Sequence, residues 1–406
     1  MRAMHLFPEA SERRGGYLRR GCRIERHDAE RCKEGDLLWY ELPIQEIPDE
    51  GDAETFMIAV IMMAMQERRT LRVHGTISRQ LLGNLTEYRD AWCLWLPQTY
   101  HPIEFEVDHV EEDGPLRPGA VCAFSGGLDG TFSIWRHARG LAGHRSQTIV
   151  HGVMIHGFDI PLDDQEGFSV AFERGALTLR SLGVPLRPLR TNFREVVRTN
   201  WEDVHGTALV AALGCFKASV GTGIVGSGWY YRNLLPPSET ERHGAWGSNP
   251  VTDHLLSGGA FRILHDGADH TRREKIRALT AWPEGSNNLR VCWAGSDKGR
   301  NCGRCEKCVR TMLAFRLNDL SIPDCFPRVA PLHQLVREVK VTRWWHRLVE
   351  EADTRGVREP WVGALRFVLR RHAIRRRIRE TVDILLPPGS RRREWAKMLA
   401  VDGTGT

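Results

Sequence analysis

Polar and apolar positions change period several times along the first part of the chain. Residues 36–42 (Asp-Leu-Leu-Trp-Tyr-Glu-Leu) have strand character. The continuous apolar run 56–65, rich in methionine, reads as a buried helix and is too short to span a bilayer. A strand follows at 70–74 and a helix at 78–95. Period-two alternation at 103–107 marks another strand. The acidic turn Glu111-Glu112-Asp113-Gly114-Pro115 closes this stretch, so residues 1–115 read as a small α+β unit.

From 116 to 327 strands and helices alternate. Strands are predicted at 120–124, 148–156, 186–189 and 221–225. Helices are predicted at 131–140, 168–182, 201–217 and 272–279. That order implies a parallel sheet covered on both faces, with ligands at the carboxyl ends of its strands. Residues 328–406 read as helices, one of them over 361–379. Pro387-Pro388-Gly389 ends that pattern and Arg391-Arg392-Arg393 follows.

The 406 residues allow two or three domains, and 27% charged with 41% hydrophobic residues exclude a disordered chain. The N-terminus lacks an apolar signal core, so a cytoplasmic location is expected. The net charge is +6, with basic residues concentrated in the C-terminal segment. That suits an anionic partner such as RNA, and equally a solvated helical face. The lack of interleaved aromatics favours the solvated face. A homodimer stays open. Of the ten cysteines, four lie within 292–308 and the rest are scattered, which suggests a metal site over a disulfide framework.

The strongest local feature is Ser125-Gly126-Gly127-Leu128-Asp129-Gly130-Thr131, which follows a strand and opens a helix. Gly126 and Gly127 let backbone N–H groups approach an anion, and the helix N-terminus adds unpaired donors. Ser125 offers a hydroxyl. Asp129 repels a bare phosphate, so its place makes sense with Mg²⁺. The competing reading is a tight strand-to-helix turn with Asp129 as a cap. No Gly-Lys-Ser/Thr is present, so this is not a Walker-type loop. The loop resembles the Ser-Gly-Gly-x-Asp-Ser signature of the PP-loop ATP pyrophosphatases, departing from it at Gly130, with Thr131 offering a hydroxyl one position later. The resemblance implies an α/β fold of the PP-loop (adenine nucleotide alpha hydrolase-like) type. It also implies ATP and Mg²⁺ as ligands, held by residues 125–131.

Cys292, Cys302, Cys305 and Cys308 have the spacing C-x9-C-x2-C-x2-C. Four cysteines that complete a tetrahedron form the structural type of Zn²⁺ site, with Arg304, Lys307 and Arg310 offsetting the thiolate charge. Reduced thiols, a disulfide pair and an iron–sulfur cluster are the alternatives. A loop and cysteine knuckle at the two ends of one domain resemble the 7-cyano-7-deazaguanine synthases, over about residues 118–315.

Between these motifs, residues 156–159 end the second parallel strand. The resemblance implies adenine contact there, largely through the backbone at His156; the plain reading is a strand-ending turn. Four glycines within 221–228 suggest close backbone approach to a ligand, or else a tightly packed strand. Asp253 stands in a polar loop as a substrate-side carboxylate or a helix cap. Thr271 and Glu274 form a capping box. Arg272 and Lys275 follow it, where the resembled enzymes place a phosphate-binding lysine. His265 and His270 are read as solvated loop histidines.

The expected activity is therefore an AMP- and pyrophosphate-forming ligase. Ser125, Asp129, Arg272 and Lys275 would act on ATP, a small-molecule acid would be adenylated, and ammonia or an amine would displace AMP. Two alternatives remain: an RNA-base-modifying enzyme transferring sulfur or nitrogen, and a non-catalytic nucleotide-binding regulator, hinted at by Gly130.

Overall fold

The computed structural model describes residues 2–28, 31–46, 51–234, 246–340 and 342–385. Two compact units divide at Trp293/Ala294, whereas the sequence suggested divisions near 115 and 327. The C-terminal tail from 386 and residues 235–245 lie outside the described residues.

The first unit holds one sheet of eleven strands. They are β1 (Ala3–Pro8), β2 (Glu12–Arg14), β3 (Tyr17–Asp28), β4 (Arg31–Pro43), β5 (Thr70–Ser78), β6 (Phe105–Glu111), β7 (Ala120–Ala123), β8 (Ile149–His156), β9 (Leu186–Thr191), β10 (Thr222–Gly226) and β11 (Arg262–Asp266). The order is β11-β10-β7-β8-β9-β4-β3-β1-β5-β6, with β2 paired to β3. Strands β7 to β11 pair in parallel. β3 pairs with β4 and β4 with β9 in antiparallel fashion.

The N-terminal strands thus continue the same sheet. Tyr40 lies opposite Thr191 and Glu41 opposite Arg190. Asn192 reinforces the seam by accepting from the Trp39 N–H at 2.9 Å and donating to the Leu37 carbonyl at 2.8 Å. Trp39 and Leu37 belong to the strand predicted from its apolar content; β1 and β3 were not predicted. β3 is interrupted by Arg19, Arg20, Arg23 and Arg26, which hide its period in the sequence.

Helices α1 (Glu54–Glu67), α2 (Arg79–Trp95), α3 (Leu128–Ala138), α4 (Gln165–Arg180), α5 (Phe193–Val196), α6 (Trp201–Gly214), α7 (Arg272–Leu279) and α8 (Pro283–Asn287) complete this unit. The methionine-rich run forms α1, buried from Glu54 to Met65, as an all-apolar helix must be. Ser78 caps α2 by accepting from the Leu81 N–H. Beneath α1 a buried ionic cluster joins distant segments. Asp52 takes Arg20 at 2.5 Å and Lys217 at 2.6 Å, and Lys217 reaches Glu54 at 2.9 Å. Burial alone would raise the Asp52 carboxyl, but Lys217 and Arg20 outweigh it and hold it well below the usual range.

The second unit contains α9 (Glu306–Arg316), α10 (Leu332–Glu338), α11 (Arg343–Thr354) and α12 (Pro360–Leu385). Its apolar interior gathers Phe315, Phe326, Leu335, Trp345 and Trp361. The first half of α12 is buried at Trp361, Val362, Leu365 and Leu369, and from Arg370 the helix is largely exposed.

The architecture is α/β with a mostly parallel central sheet flanked by helices, compatible with a Rossmann-like fold. From β7 the chain winds outward through β8 and β9, then returns to place β10 and β11 on the other side of β7. The direction of winding reverses between β7 and β10. In open parallel sheets the crevice at the carboxyl ends of such a strand pair is the usual ligand site.

Candidate functional site

β7 ends at Ala123, and the glycine loop lies directly beyond it, in that crevice. Gly126 has φ +76°, a left-handed conformation that favours glycine. Gly127 is the N-cap of α3 and has no side chain to occupy the cap. Its N–H lies 3.4 Å from Ser125 Oγ, and Ser125 is exposed. Leu128 is buried and anchors the first turn of α3. Thr131, expected to offer a hydroxyl to the ligand, is 1% exposed and lies within the fold.

Gly130 has a steric reason. A Cβ there would sit 2.7 Å from the Ala123 carbonyl oxygen. Gly226, at the end of β10, would place a Cβ 2.7 Å from the backbone of Asp129. These two glycines let the first turn of α3 wedge between the ends of β7 and β10. Of the four glycines in 221–228, only Gly228 faces the site, where a Cβ would lie 4.0 Å from Asp129 Oδ2; the other three pack on the protein. Gly221 abuts the Arg117 backbone, Gly223 the Phe261 ring and Gly226 the Asp129 backbone, all of them protein atoms.

Asp129 meets Arg272 and Lys275, although it precedes Lys275 by 146 positions in sequence. Asp129 Oδ1 accepts from Lys275 Nζ at 2.8 Å, and Arg272 Nη2 lies 3.8 Å from Oδ2. Lys275 is 2% exposed. Its ammonium also donates to the Ser227 carbonyl and lies 5.7 Å from the Phe132 ring centre. α7 can present Lys275 here because the Thr271–Glu274 capping box, found as predicted, fixes the start of the helix.

Sequence reasoning missed Arg290. Its N–H donates to the Gly126 carbonyl at 2.8 Å and its Nη1 to the Ser125 carbonyl at 3.1 Å, so it clamps the glycine loop from outside. It is 5% exposed. A single arginine two positions before a cysteine carries no periodic or motif signal, so nothing in the sequence marks it.

His156 is not at the crevice surface. Its ring is fully buried, stacks on Phe168 at 4.4 Å, and its Nε2 donates to the Pro161 carbonyl at 2.7 Å. Burial holds its pKa below the ordinary value, partly offset by the Pro161 bond. The side chain is a core contact at the strand end, and the expected adenine contact through the backbone does not involve it. His265, taken from sequence as a solvated loop residue, is instead buried at the end of β11, its side chain 6% exposed.

A second polar cluster lies at the end of β11. Asp266 is fully buried, facing His137 Nε2 at 3.2 Å and Arg136 at 3.6 Å. The Gln147 N–H donates to His137 Nδ1, so Nε2 is the ring nitrogen that carries hydrogen toward Asp266. Burial would raise the Asp266 carboxyl; the His137 bond and nearby Arg136 keep it below the ordinary value.

The four clustered cysteines meet. The sulfurs of Cys292, Cys302, Cys305 and Cys308 all lie within 4.8 Å of one another. Cys302 and Cys308 are 4.0 Å apart, and the Cys305 N–H donates to Cys302 Sγ at 3.2 Å. Four thiolates around one Zn²⁺, each at about 2.3 Å, would lie about 3.8 Å apart, so a small contraction closes the site. Gly303 is required within the knuckle: its φ is +72°, and a Cβ would meet the Pro327 carbonyl oxygen at 2.5 Å. Cys305 is the N-cap of α9, where the helix dipole favours a thiolate. The cluster can hold a metal ion such as zinc.

No helix among the described residues is long and apolar enough to cross a membrane. No family model matches the chain, and neither a curated protein nor a solved structure matches it.

Proposed function

We propose that this protein is an ATP-dependent, AMP-forming enzyme of the PP-loop ATP pyrophosphatase type, similar to the 7-cyano-7-deazaguanine synthases. One observation carries the reading: Asp129 of the Ser-Gly-Gly-x-Asp loop meets Lys275 at 2.8 Å in the crevice between β7 and β10. The donor set suits a polyphosphate. It combines the Ser125 hydroxyl, the backbone amides opened by Gly126 and Gly127, and the cationic Lys275, Arg272 and Arg290 around one loop.

Bound there with Mg²⁺, ATP supplies an α-phosphorus at which a substrate carboxylate oxygen is adenylated, with pyrophosphate as the leaving group. Ser125 and the amides of residues 126–128 hold the phosphates. Asp129 provides the carboxylate for a divalent cation, and Lys275 and Arg272 supply positive charge beside it. Arg290 fixes the loop by binding its carbonyls, so the donors stay aimed without reorganising. Ammonia or an amine then displaces AMP. Zn²⁺ on Cys292, Cys302, Cys305 and Cys308 is structural in this reading.

The decisive test is product analysis with pyrophosphate exchange across a panel of small carboxylic acids. AMP and pyrophosphate are expected. ADP as the main product would overturn the proposal. A second reading, transfer of sulfur or nitrogen to an RNA base, has one observation in its favour: Arg370, Arg371, Arg376 and Arg377 stand exposed on the second half of α12. RNA retained through purification at moderate salt would support it. Gly130, which hints at a non-catalytic regulator, has a steric reason independent of that reading.

A further inference from the structure

The last helix of the second unit carries two apolar rows. α12 packs against α10 and α11, and its first half buries Trp361, Val362, Leu365 and Leu369. At about 100° per residue, these four span about 100° of the helix circumference. The other row stands on the opposite side. Phe367, Ile374 and Ile378 fall within about 40° of one another. They are 59%, 60% and 48% exposed. A single solvated isoleucine is ordinary; three large apolar side chains aligned on one outer face form a patch.

The border of this patch is cationic. Arg370 and Arg377 flank the row on one side and Arg371 on the other, all three exposed. Residues 361–385 hold arginine at 366, 370, 371, 375, 376, 377 and 379 against two carboxylates, Glu380 and Asp383. The helical period sets both acids more than about 120° from the row. Glu380 is engaged with Arg376 at 3.5 Å, and Arg366 pairs with Asp353 of α11. The outer face is apolar at its centre and positive at its edges, with the acids of the helix turned away from it.

We propose that this face of α12 docks on an anionic lipid bilayer, the helix lying in the plane of the surface. Phe367, Ile374 and Ile378 enter the boundary between headgroups and acyl chains. The arginines reach lipid phosphates along their own aliphatic stems. The helix lies on the bilayer and does not cross it, since no helix among the described residues is long and apolar enough to span. The proposal is independent of the ATP reading.

The composition of the row selects the occupant. RNA would meet the arginines but has no use for two isoleucines among them, because bases stack on rings and Phe367 is the only ring in the row. A second copy would set arginine against arginine. A protein groove takes anchors at i, i+3 or i+4, and i+7. Between Phe367 and Ile374 those middle positions are Arg370 and Arg371. A groove would have to bury guanidinium groups that lipid headgroups accept at the surface.

The test is co-sedimentation of the full chain with lipid vesicles. At about 0.1 M salt, binding is expected to vesicles with about 30% phosphatidylserine and not to pure phosphatidylcholine. The joint variant Arg370→Gln, Arg371→Gln and Arg377→Gln should lower the partition coefficient about 10²-fold, at about fivefold per arginine. The joint variant Phe367→Ser, Ile374→Ser and Ile378→Ser should lower it by about as much, with every arginine retained. The six side chains are exposed, so an unchanged urea midpoint is expected for both. Wild type left in the supernatant by the anionic vesicles overturns the proposal. So does wild-type binding that is unmoved by raising salt to about 0.5 M, a result that needs no variant. Intact binding without the apolar row would show a contact of charge alone, the kind RNA makes, and would overturn it. Intact binding without the three arginines would put the lipid contact elsewhere and overturn it too. A dimer in sedimentation equilibrium that Ile374→Ser dissolves would show a second copy on the row, again overturning it.

Discussion

A serine at position 130 would bring its Cβ to 2.7 Å from the Ala123 carbonyl oxygen, a backbone atom that cannot swing aside. Gly130→Ser, which would complete the Ser-Gly-Gly-x-Asp-Ser pattern the loop resembles, is therefore expected to destabilise the protein by about 1–3 kcal/mol, read by urea unfolding. No loss of stability would remove the steric account of this departure. Lys275 is the residue on which the proposed chemistry depends most. Lys275→Met keeps the aliphatic stem against Phe132 but deletes the charge beside Asp129. AMP formation is expected to fall about 10²–10³-fold, the usual size of one lost electrostatic donor. A variant turning over at the wild-type rate would remove Lys275 from the mechanism.

Among the elements, the knuckle and the glycine loop lie close along the chain. Arg290, which clamps the loop, is two residues from Cys292 of the four-cysteine cluster. One zinc per chain is expected by metal analysis. Cys305→Ser or strong chelation should lower Tm and then weaken ATP binding, because the anchor next to Arg290 loosens. Iron with sulfide in place of zinc would sink the assignment. What the sequence reveals depends on how locally each element is determined. The capping box at Thr271, the methionine-rich α1 and the parallel strands β7 to β10 rest on neighbouring residues, and all were legible. β3 carries four arginines whose stems pack on neighbours, so its alternation is masked. β11 is short and contains Arg262, His265 and Asp266, which look like a loop until burial reveals the strand. His265 and Arg290 share one reason for being missed. Their partners lie 12 and 164 or more residues away, and no spacing rule connects them.

At the scale of the molecule, two buried sets of charge determine the response to pH. His151 is buried and its pKa is lowered to about 4 by desolvation and then by Arg187; burial lowers His5 and His156 too. These bases bind protons more readily unfolded than folded. Stability therefore rises with pH from about 4 to 6.5 and is lost as pH falls through that window. His151 alone accounts for about 3 kcal/mol of this at pH 4. Urea midpoints from pH 4 to 7.5 should show that slope, and His151→Phe should flatten it. The Asp52–Arg20–Lys217–Glu54 cluster is the other set. Lys217→Met leaves Asp52 with Arg20 alone and removes the ammonium from buried Glu54, and is expected to cost about 3–5 kcal/mol.

The seam between β4 and β9 bears on how the chain is made as well as how it stands. β9 has β8 on one side and β4 on the other. Until β4 docks, β9 offers a row of open amides and carbonyls, and α1 has no cover for its methionines. The chain is synthesised from the N-terminus, so β4 is complete long before β9 emerges and waits as its template. A fragment starting at residue 116 would leave that template out. It should collect in inclusion bodies, and co-expressing residues 1–115 as a separate chain should recover it in the supernatant by strand complementation.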